Sequence, residues 1–513
     1  MKYIEVEVEN FMLEEIEMLH GNRLANKIAG LPSDKKRVAI FSMTCSKKDK
    51  ELVELIKELQ SDKVSIIYQL DKIIERIRKY NPVGDVEKSS FGEVFTPFWL
   101  IEEKLNRLDV TVWSNQTFKW LFPSNGIGNY AIIVIKRLMI GLEKWEVNEG
   151  KRFKHIMENM IYVSELQQKN MFLWMLSIDP KSKLKLNLFR GSFLSKEFDE
   201  HMKNVWKVEK FNICPENPPY QEMDGGAKAS AKPIYNLFVE KCIKICDQTL
   251  MITPSRWFAG GKGLDSFRKM MMNSGKINFI QHFDDATKIF GKKVEIKGGV
   301  SYFLYDNNYN GKTLFNNIQV ELCQFDIIVN NILALPIIVR MLKYDNISKI
   351  CMGRGDNVFG IQTNDKRLTA SPDDDSILCH VSIQKGRIKY IRKEYIKNIE
   401  KSNTYKVITV EAATKGGEGF GNIYVSLPGE VLNGSYIYFV TNSVEESKSL
   451  QSYLKTKFAN FLLSLRKISQ HIKPDTLKWI PIVPFDREWT DKELYSYFNL
   501  TQEEIDLIEK NNN

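Results

Sequence analysis

Apolar residues recur every three or four positions through the first ninety residues, as in LVELIKELQ at 52–60 and VSIIYQLDKIIERIRKY at 64–80. Strand-like alternation is missing, so this stretch is predicted to be helical. Pro82 and Gly84 then break the pattern. From about 91 to 306 short apolar runs (MIYVSEL at 160–166, FNIC at 211–214, TLMITP at 249–254, VSYFLYD at 300–306) alternate with helical stretches. That rhythm predicts an α/β domain with a doubly wound, mostly parallel sheet. After Gly311 the chain is mixed, rich in β-branched and aromatic residues, with Gly/Asn turns at 353–357, 363–365 and 416–421 and a helical stretch at 450–470. TDKE at 490–493 and TQEE at 501–504 are capping signatures, each ahead of an apolar periodicity. They predict two short closing helices. The expected division is a helical region at 1–90, an α/β domain at 91–330, a mixed α+β domain at 331–480 and a helical tail at 481–513.

The chain has 513 residues, 43% of them hydrophobic and 11% aromatic, which excludes disordered and fibrous classes. Its 73 basic and 64 acidic residues leave +9. Residues 340–475 hold 21 Lys/Arg against 14 Asp/Glu, so +7 of that excess falls in about a quarter of the chain. The asymmetry is compatible with a polyanionic partner. Seven cysteines without a CxxC pair argue against a disulfide framework or a zinc ribbon. Cys242 and Cys246, one helical turn apart, are expected to be buried thiols, with no metal site. The N-terminus is acidic and lacks a signal-type apolar core, and no apolar run reaches the ~20 residues of a membrane span. A cytoplasmic location is the expectation.

Three segments carry candidate chemistry. Asn217, Pro218, Pro219 and Tyr220 follow the apolar run at 211–214. Two prolines make a rigid turn at a strand's carboxyl end, where doubly wound sheets bind ligands. The amide oxygen of Asn217 and the carbonyl of Pro218 can accept both hydrogens of an exocyclic amine, while Tyr220 offers a flat face to the ring. Upstream, Pro123, Ser124, Asn125, Gly126, Ile127 and Gly128 lie between an apolar segment and a helix. A glycine turn there lets backbone approach a nucleotide-like ligand. Glu165, just past a second apolar strand, can take the two hydroxyls of a ribose. The segment 385–406 adds eight Lys/Arg against two Glu, including Lys385, Arg387, Lys389, Arg392 and Lys393, with Tyr390 and Tyr395 interleaved. Such a run can neutralise phosphates.

Taken together these segments resemble the gamma-class DNA adenine-N6 methyltransferases of the restriction-modification type, with a C-terminal target-recognition domain. GEVFTP at 92–97, with Phe95, Thr96 and Pro97, is similar to the family's opening motif, which touches the methionine end of S-adenosylmethionine. The turn with Pro123, Asn125, Gly126 and Gly128 resembles its methionine-binding loop, Glu165 its ribose acid, and 217–220 its catalytic turn. Phe290, in IFGKKV, matches the aromatic that stacks on the second face of a flipped adenine. ITPSRWFAGG at 252–261, VEIKGGVSYFLYD at 294–306, DNVFGIQTN at 356–364, SYLKTKFANFLLSLRK at 452–467 and FDREWTDKELYSYF at 485–498 extend the likeness along the chain. The resemblance implies a seven-stranded Rossmann-like methyltransferase sheet and S-adenosylmethionine as cofactor. It also implies double-stranded DNA and a separate restriction endonuclease or other defence-system subunit as partners. Arg354, Gln362 and Asn364 are the candidate base readers.

The chain departs from that pattern at three places. Phe122 stands where an acid usually precedes the proline of the glycine loop, Ser192 replaces the aspartate of Gly-Asp-Phe-Leu before Phe193, and Glu216 replaces the glycine before the catalytic asparagine. Phe122 and Ser192 motivate an alternative, a DNA-binding pseudo-methyltransferase or recognition subunit with weak or absent cofactor binding. A protein glutamine methyltransferase shares the catalytic turn but is much shorter and lacks a basic recognition domain. The first ninety residues hold no metal-binding arrangement of nuclease type.

Overall fold

The computed structural model describes residues 3–44, 65–79, 96–221, 232–259, 263–291, 296, 298–329, 331–381, 388–412, 419–467 and 471–510. The chain divides into two compact units, Met1–Ile328 and Val329–Asn513.

The first unit is organised by a sheet whose strands are β1 (Trp120–Phe122), β2 (Ile161–Glu165), β3 (Asn187–Arg190), β4 (Phe211–Glu216), β5 (Cys246–Pro254), β6 (Ile277–Phe283), β7 (Val300–Asp306), β8 (Thr313–Phe315) and β9 (Ile318–Val320). Their order is β3-β2-β1-β4-β5-β7-β6-β8-β9. β1 to β5 run parallel to one another, whereas β7 is antiparallel to both β5 and β6. Helices Asn129–Gly141, Gln168–Ile178, Lys196–Asn204 and Tyr235–Ile245 make the crossovers. With both faces covered, every residue of β1 and β2 is buried, as parallel sheets require. Nine strands stand where seven were expected. Asn316 and Asn317, both at positive φ, turn the chain back after three residues, so β8 and β9 form a hairpin on the edge beside β6. The strand order reverses between β1 and β4, which opens a crevice at their carboxyl ends.

Among the described residues of the N-terminal stretch the helices are Tyr3–His20, Asn22–Ala29, Ser33–Thr44 and Ile66–Lys79; residues 45–64 and 80–90 lie outside the described ones. The first packs on helix Gln168–Ile178 and on β3. Arg37, with no exposed surface, ties these layers together. Its Nε donates to Glu9 at 2.7 Å, one terminal nitrogen donates to the Asp179 carbonyl at 2.6 Å, and Glu5 lies 3.8 Å away.

The second unit carries a four-stranded and a three-stranded sheet. The first, ordered β10-β16-β13-β14, comprises β10 (Cys351–Arg354), β13 (Tyr405–Val410), β14 (Ile423–Ser426) and β16 (Tyr436–Thr441). The second, ordered β12-β11-β15, comprises β11 (Ser376–His380), β12 (Ile388–Arg392) and β15 (Val431–Leu432). Phe359, Ile408, Tyr436 and Tyr438 form part of the shared core. Helices Asp491–Tyr497 and Gln502–Lys510 close the chain. Thr490 with Glu493 and Thr501 with Glu504 make the reciprocal caps that their sequences predict. Among the described residues no helix is long and apolar enough to cross a membrane.

Replacing Arg37 by alanine leaves Glu5, Glu9 and Asp179 facing a buried gap without their cation. The expected cost is about 3–5 kcal/mol, read from urea titration of the full chain. A change below about 1 kcal/mol would contradict this packing.

Candidate active site

β4 delivers Asn217, Pro218, Pro219 and Tyr220 to the carboxyl edge of the sheet, next to the turn that leaves β1. Asn217 Nδ2 donates to Thr96 Oγ1 at 2.9 Å, which sets the orientation of the amide. Tyr220 is buried and sits edge-on to Tyr235, with ring centroids 6.5 Å apart. Burial pushes its hydroxyl well above the usual range, against the effect of a hydrogen bond with Asn217.

The glycine turn is stereochemically specific. Gly126 and Gly128 adopt φ of 55° and 97°, and a Cβ on Gly128 would meet the Trp174 ring at 2.2 Å. Asn125 N donates to the Ser164 carbonyl at 3.2 Å, pinning the turn to the end of β2. Glu165, the last residue of β2, is buried. It accepts from Gly126 N at 2.6 Å on one oxygen and from Gln167 N at 2.8 Å on the other. Ser124 Oγ and Asn125 Oδ1 are buried without a hydrogen-bond partner.

Of the other expected cofactor residues, Pro97 caps helix Phe98–Leu105, Pro123 opens the turn and Phe95 lies outside the described residues. Ser192 is exposed and its Oγ accepts from Leu194 N at 3.3 Å. Phe193 is 1% exposed and packs against Phe198 and Phe238, so its ring belongs to the core. Phe122, also fully buried, ends β1. Phe290 ends the short helix Thr287–Phe290 and is half-buried against the core. No ring contact joins it to Tyr220.

One residue at this edge, Lys104, escaped sequence reasoning, and a second, Glu216, stood there only as a departure from the family pattern. Lys104 has no exposed surface; its amine donates to Tyr130 Oη at 2.7 Å and to the Glu216 carbonyl at 2.9 Å. Burial pulls that amine down to about 7, although the Glu216 carboxylate acts in the opposite direction. The available signal was its place on the apolar stripe of Phe98, Ile101 and Leu105. Glu216 is 3% exposed; Oε1 accepts from Asn217 N at 3.0 Å while Oε2 has no hydrogen-bond partner. Burial pushes its carboxyl well above the usual range.

Cys214 of β4 meets Cys242, on helix Tyr235–Ile245, and Cys246, the first residue of β5. All three are buried, their sulfurs lie within 4.8 Å of one another, and Cys214 Sγ is 3.6 Å from Cys242 Sγ.

In the second unit Arg354 pairs with Asp356 at 3.0 Å and lies 3.6 Å from Glu411. Gln362 and Asn364 are exposed. Lys389 stands in β12 opposite Cys379, Lys393 is exposed, and Arg392 pairs with Asp373 at 2.9 Å; Lys385 and Arg387 lie outside the described residues. Lys406, at the end of the basic run, is wholly buried, its amine donating to the carbonyls of Ser402 at 2.8 Å and Thr404 at 2.6 Å.

Residues 41–290 match the Eco57I restriction-modification methylase family model. That span contains the glycine turn, Glu165, the turn at 217–220 and Phe290. An uncharacterized adenine-specific methylase of Mycoplasma pneumoniae is 28% identical over 318 residues, 48% of this chain and 75% of that protein. Two solved structures are similar at low identity. A modification subunit of a type I restriction enzyme from Vibrio vulnificus is 11% identical, with 53% of each chain covered and a TM-score of 0.34. The DrdV–DNA complex is 10% identical, with 93% of this chain and 64% of that one covered and a TM-score of 0.42. The chain thus spans about half the length of the first and under two thirds of the second.

Burial brings the Lys406 amine down to about 8, below its value in an unfolded chain. Between pH 8 and 10.5 the unfolded chain therefore holds a proton that the folded one has released, and stability rises with pH across that window. Relative to Lys406→Met, urea titrations should show the wild type gaining on the order of 2 kcal/mol from pH 7.5 to 10.5. Parallel pH profiles would refute the burial.

Proposed function

We propose that this chain is a DNA methyltransferase that moves a methyl group from S-adenosylmethionine to N6 of an adenine turned out of duplex DNA, within a restriction-modification or related defence system. The observation that carries the reading is the Asn-Pro-Pro-Tyr turn at the end of β4, set beside the glycine turn of β1 with the Asn217 amide held by Thr96. The match of residues 41–290 to restriction-modification methylases and the adenine-specific methylase relative support the same chemistry.

The site's donors and acceptors suit the cofactor. Glu165 takes the ribose hydroxyls, the backbone at Gly126 and Gly128 allows close approach, and Ser124 Oγ and Asn125 Oδ1 supply buried polar atoms in need of partners. When bound, S-adenosylmethionine supplies an electrophilic methyl group. The chain's own residues do the rest. Asn217 Oδ1 and the Pro218 carbonyl accept the two N6 hydrogens and turn the nitrogen lone pair toward the electrophile. Turning the base out costs a few kcal/mol, and stacking on Tyr220 and Phe290 returns about 1–3 kcal/mol per ring. Catalysis here is chiefly positioning. Duplex DNA and a separate nuclease or other defence subunit are the partners of this reading. The exposed lysines of the second unit supply phosphate contacts and its turn residues contact bases.

Expression in a host without adenine methylation, followed by single-molecule sequencing of plasmid DNA, should reveal one modified adenine motif. Asn217→Ala should abolish the signal at unchanged expression and folding. Full methylation by Asn217→Ala would remove the assigned mechanism, and no modified motif with the wild type would remove the enzymatic reading.

A further inference from the structure

Two carboxylates flank the glycine turn. β2 and β4 lie on either side of β1, so Glu165 and Glu216, the last residues of those strands, bracket the turn that β1 feeds. Their hydrogen bonding differs. Glu165 receives a backbone N–H on each oxygen. Glu216 receives one, from Asn217 N on Oε1, and its Oε2 is buried without a partner. Among the described residues no Lys, Arg or His nitrogen lies within ion-pairing distance of it. Lys104, the nearest in chemistry, directs its amine to the Glu216 carbonyl and to Tyr130 instead. Burial therefore disfavours the ionised form of this carboxyl, against the weaker pull of the Lys104 amine, and a cation seated at Oε2 would draw off its proton and hold it ionised.

We infer that Glu216 is the counter-ion for the ammonium group of the methyl donor. The inference rests on the methyltransferase reading and extends it. Residue 122, at the end of β1, is a buried phenylalanine with no charge to offer an amine. β1 and β4 are adjacent and in register, Trp120 opposite Ile213, so the carboxylate on β4 reaches the same edge from the neighbouring strand. Asn125 Oδ1, also unpartnered, supplies a neutral acceptor on the turn. The amino-acid end of the cofactor is thereby fixed by the residue that precedes Asn217, which couples cofactor seating to the position of the catalytic amide.

Isothermal titration of the full chain with S-adenosylhomocysteine and with its deamino analogue tests this. The wild type should prefer the amine-bearing ligand by about tenfold or more, as a charge-assisted bond would give. Glu216→Gln should lose that preference while its affinity for the deamino analogue stays within about twofold; Glu216→Asp, which keeps the charge, should retain part of it. A Glu216→Gln protein that keeps the full preference, or that loses both ligands equally, overturns the assignment. If the wild type binds neither nucleoside, the methyltransferase reading fails and the role of Glu216 fails with it.

Discussion

The amine of Lys104, with no exposed surface, holds the carbonyl of residue 216 on one side and the Tyr130 hydroxyl on the other. An amine so placed is tolerated only where its hydrogens have acceptors, because desolvating an ammonium without them costs several kcal/mol. It therefore fixes the peptide immediately before Asn217. From that point the constraints run outward. The Glu216 side chain receives Asn217 N, and the Asn217 amide gives its hydrogen to Thr96. Helix Phe98–Leu105, which carries Lys104, begins one residue after Pro97, so one short segment supplies both the lysine beneath the turn and the threonine beside it. Asn217 and the carbonyl before it are oriented by residues that arrive from 121 and 112 positions away in sequence.

Much of the sheet was legible because its strands are apolar runs bounded by turns. β2, β4, β5 and β7 fall on MIYVSEL, FNIC, TLMITP and VSYFLYD. The hairpin of β8 and β9 was not, since two three-residue strands leave too few positions for an alternation to show. Within the site, Glu165, Asn217 and the glycine turn were readable from residue type and place. Their partners were not. Thr96 meets Asn217 across 121 positions, and Cys214 reaches Cys242 across 28, distances at which periodicity says nothing. Lys104 was concealed by its type, because a lysine on an apolar stripe reads as a flaw in the pattern until its two acceptors are seen.

Charge counting in the second unit needs the same correction. Arg354, Arg367 and Arg392 are held by Asp356, Asp365 and Asp373, and Lys406 is buried among backbone carbonyls. These four cations stabilise turns and strands of their own unit. Exposed Lys393 and Lys397, with half-buried Lys389, better represent the positive surface left for a polyanion than the formal excess does. A guanidinium already in an ion pair can still contact a phosphate, but it must first exchange partners, which reduces what each contact contributes.

The orientation of the Asn217 amide by Thr96 is the claim on which the catalytic reading turns. It is tested most directly by single-turnover methylation at saturating S-adenosylmethionine and DNA, comparing Thr96→Val with Thr96→Ser. Valine removes the acceptor and leaves the shape, so the expected rate falls by about a hundredfold, whereas serine keeps the hydroxyl and most of the rate. A Thr96→Val protein that methylates at the wild-type rate would contradict it.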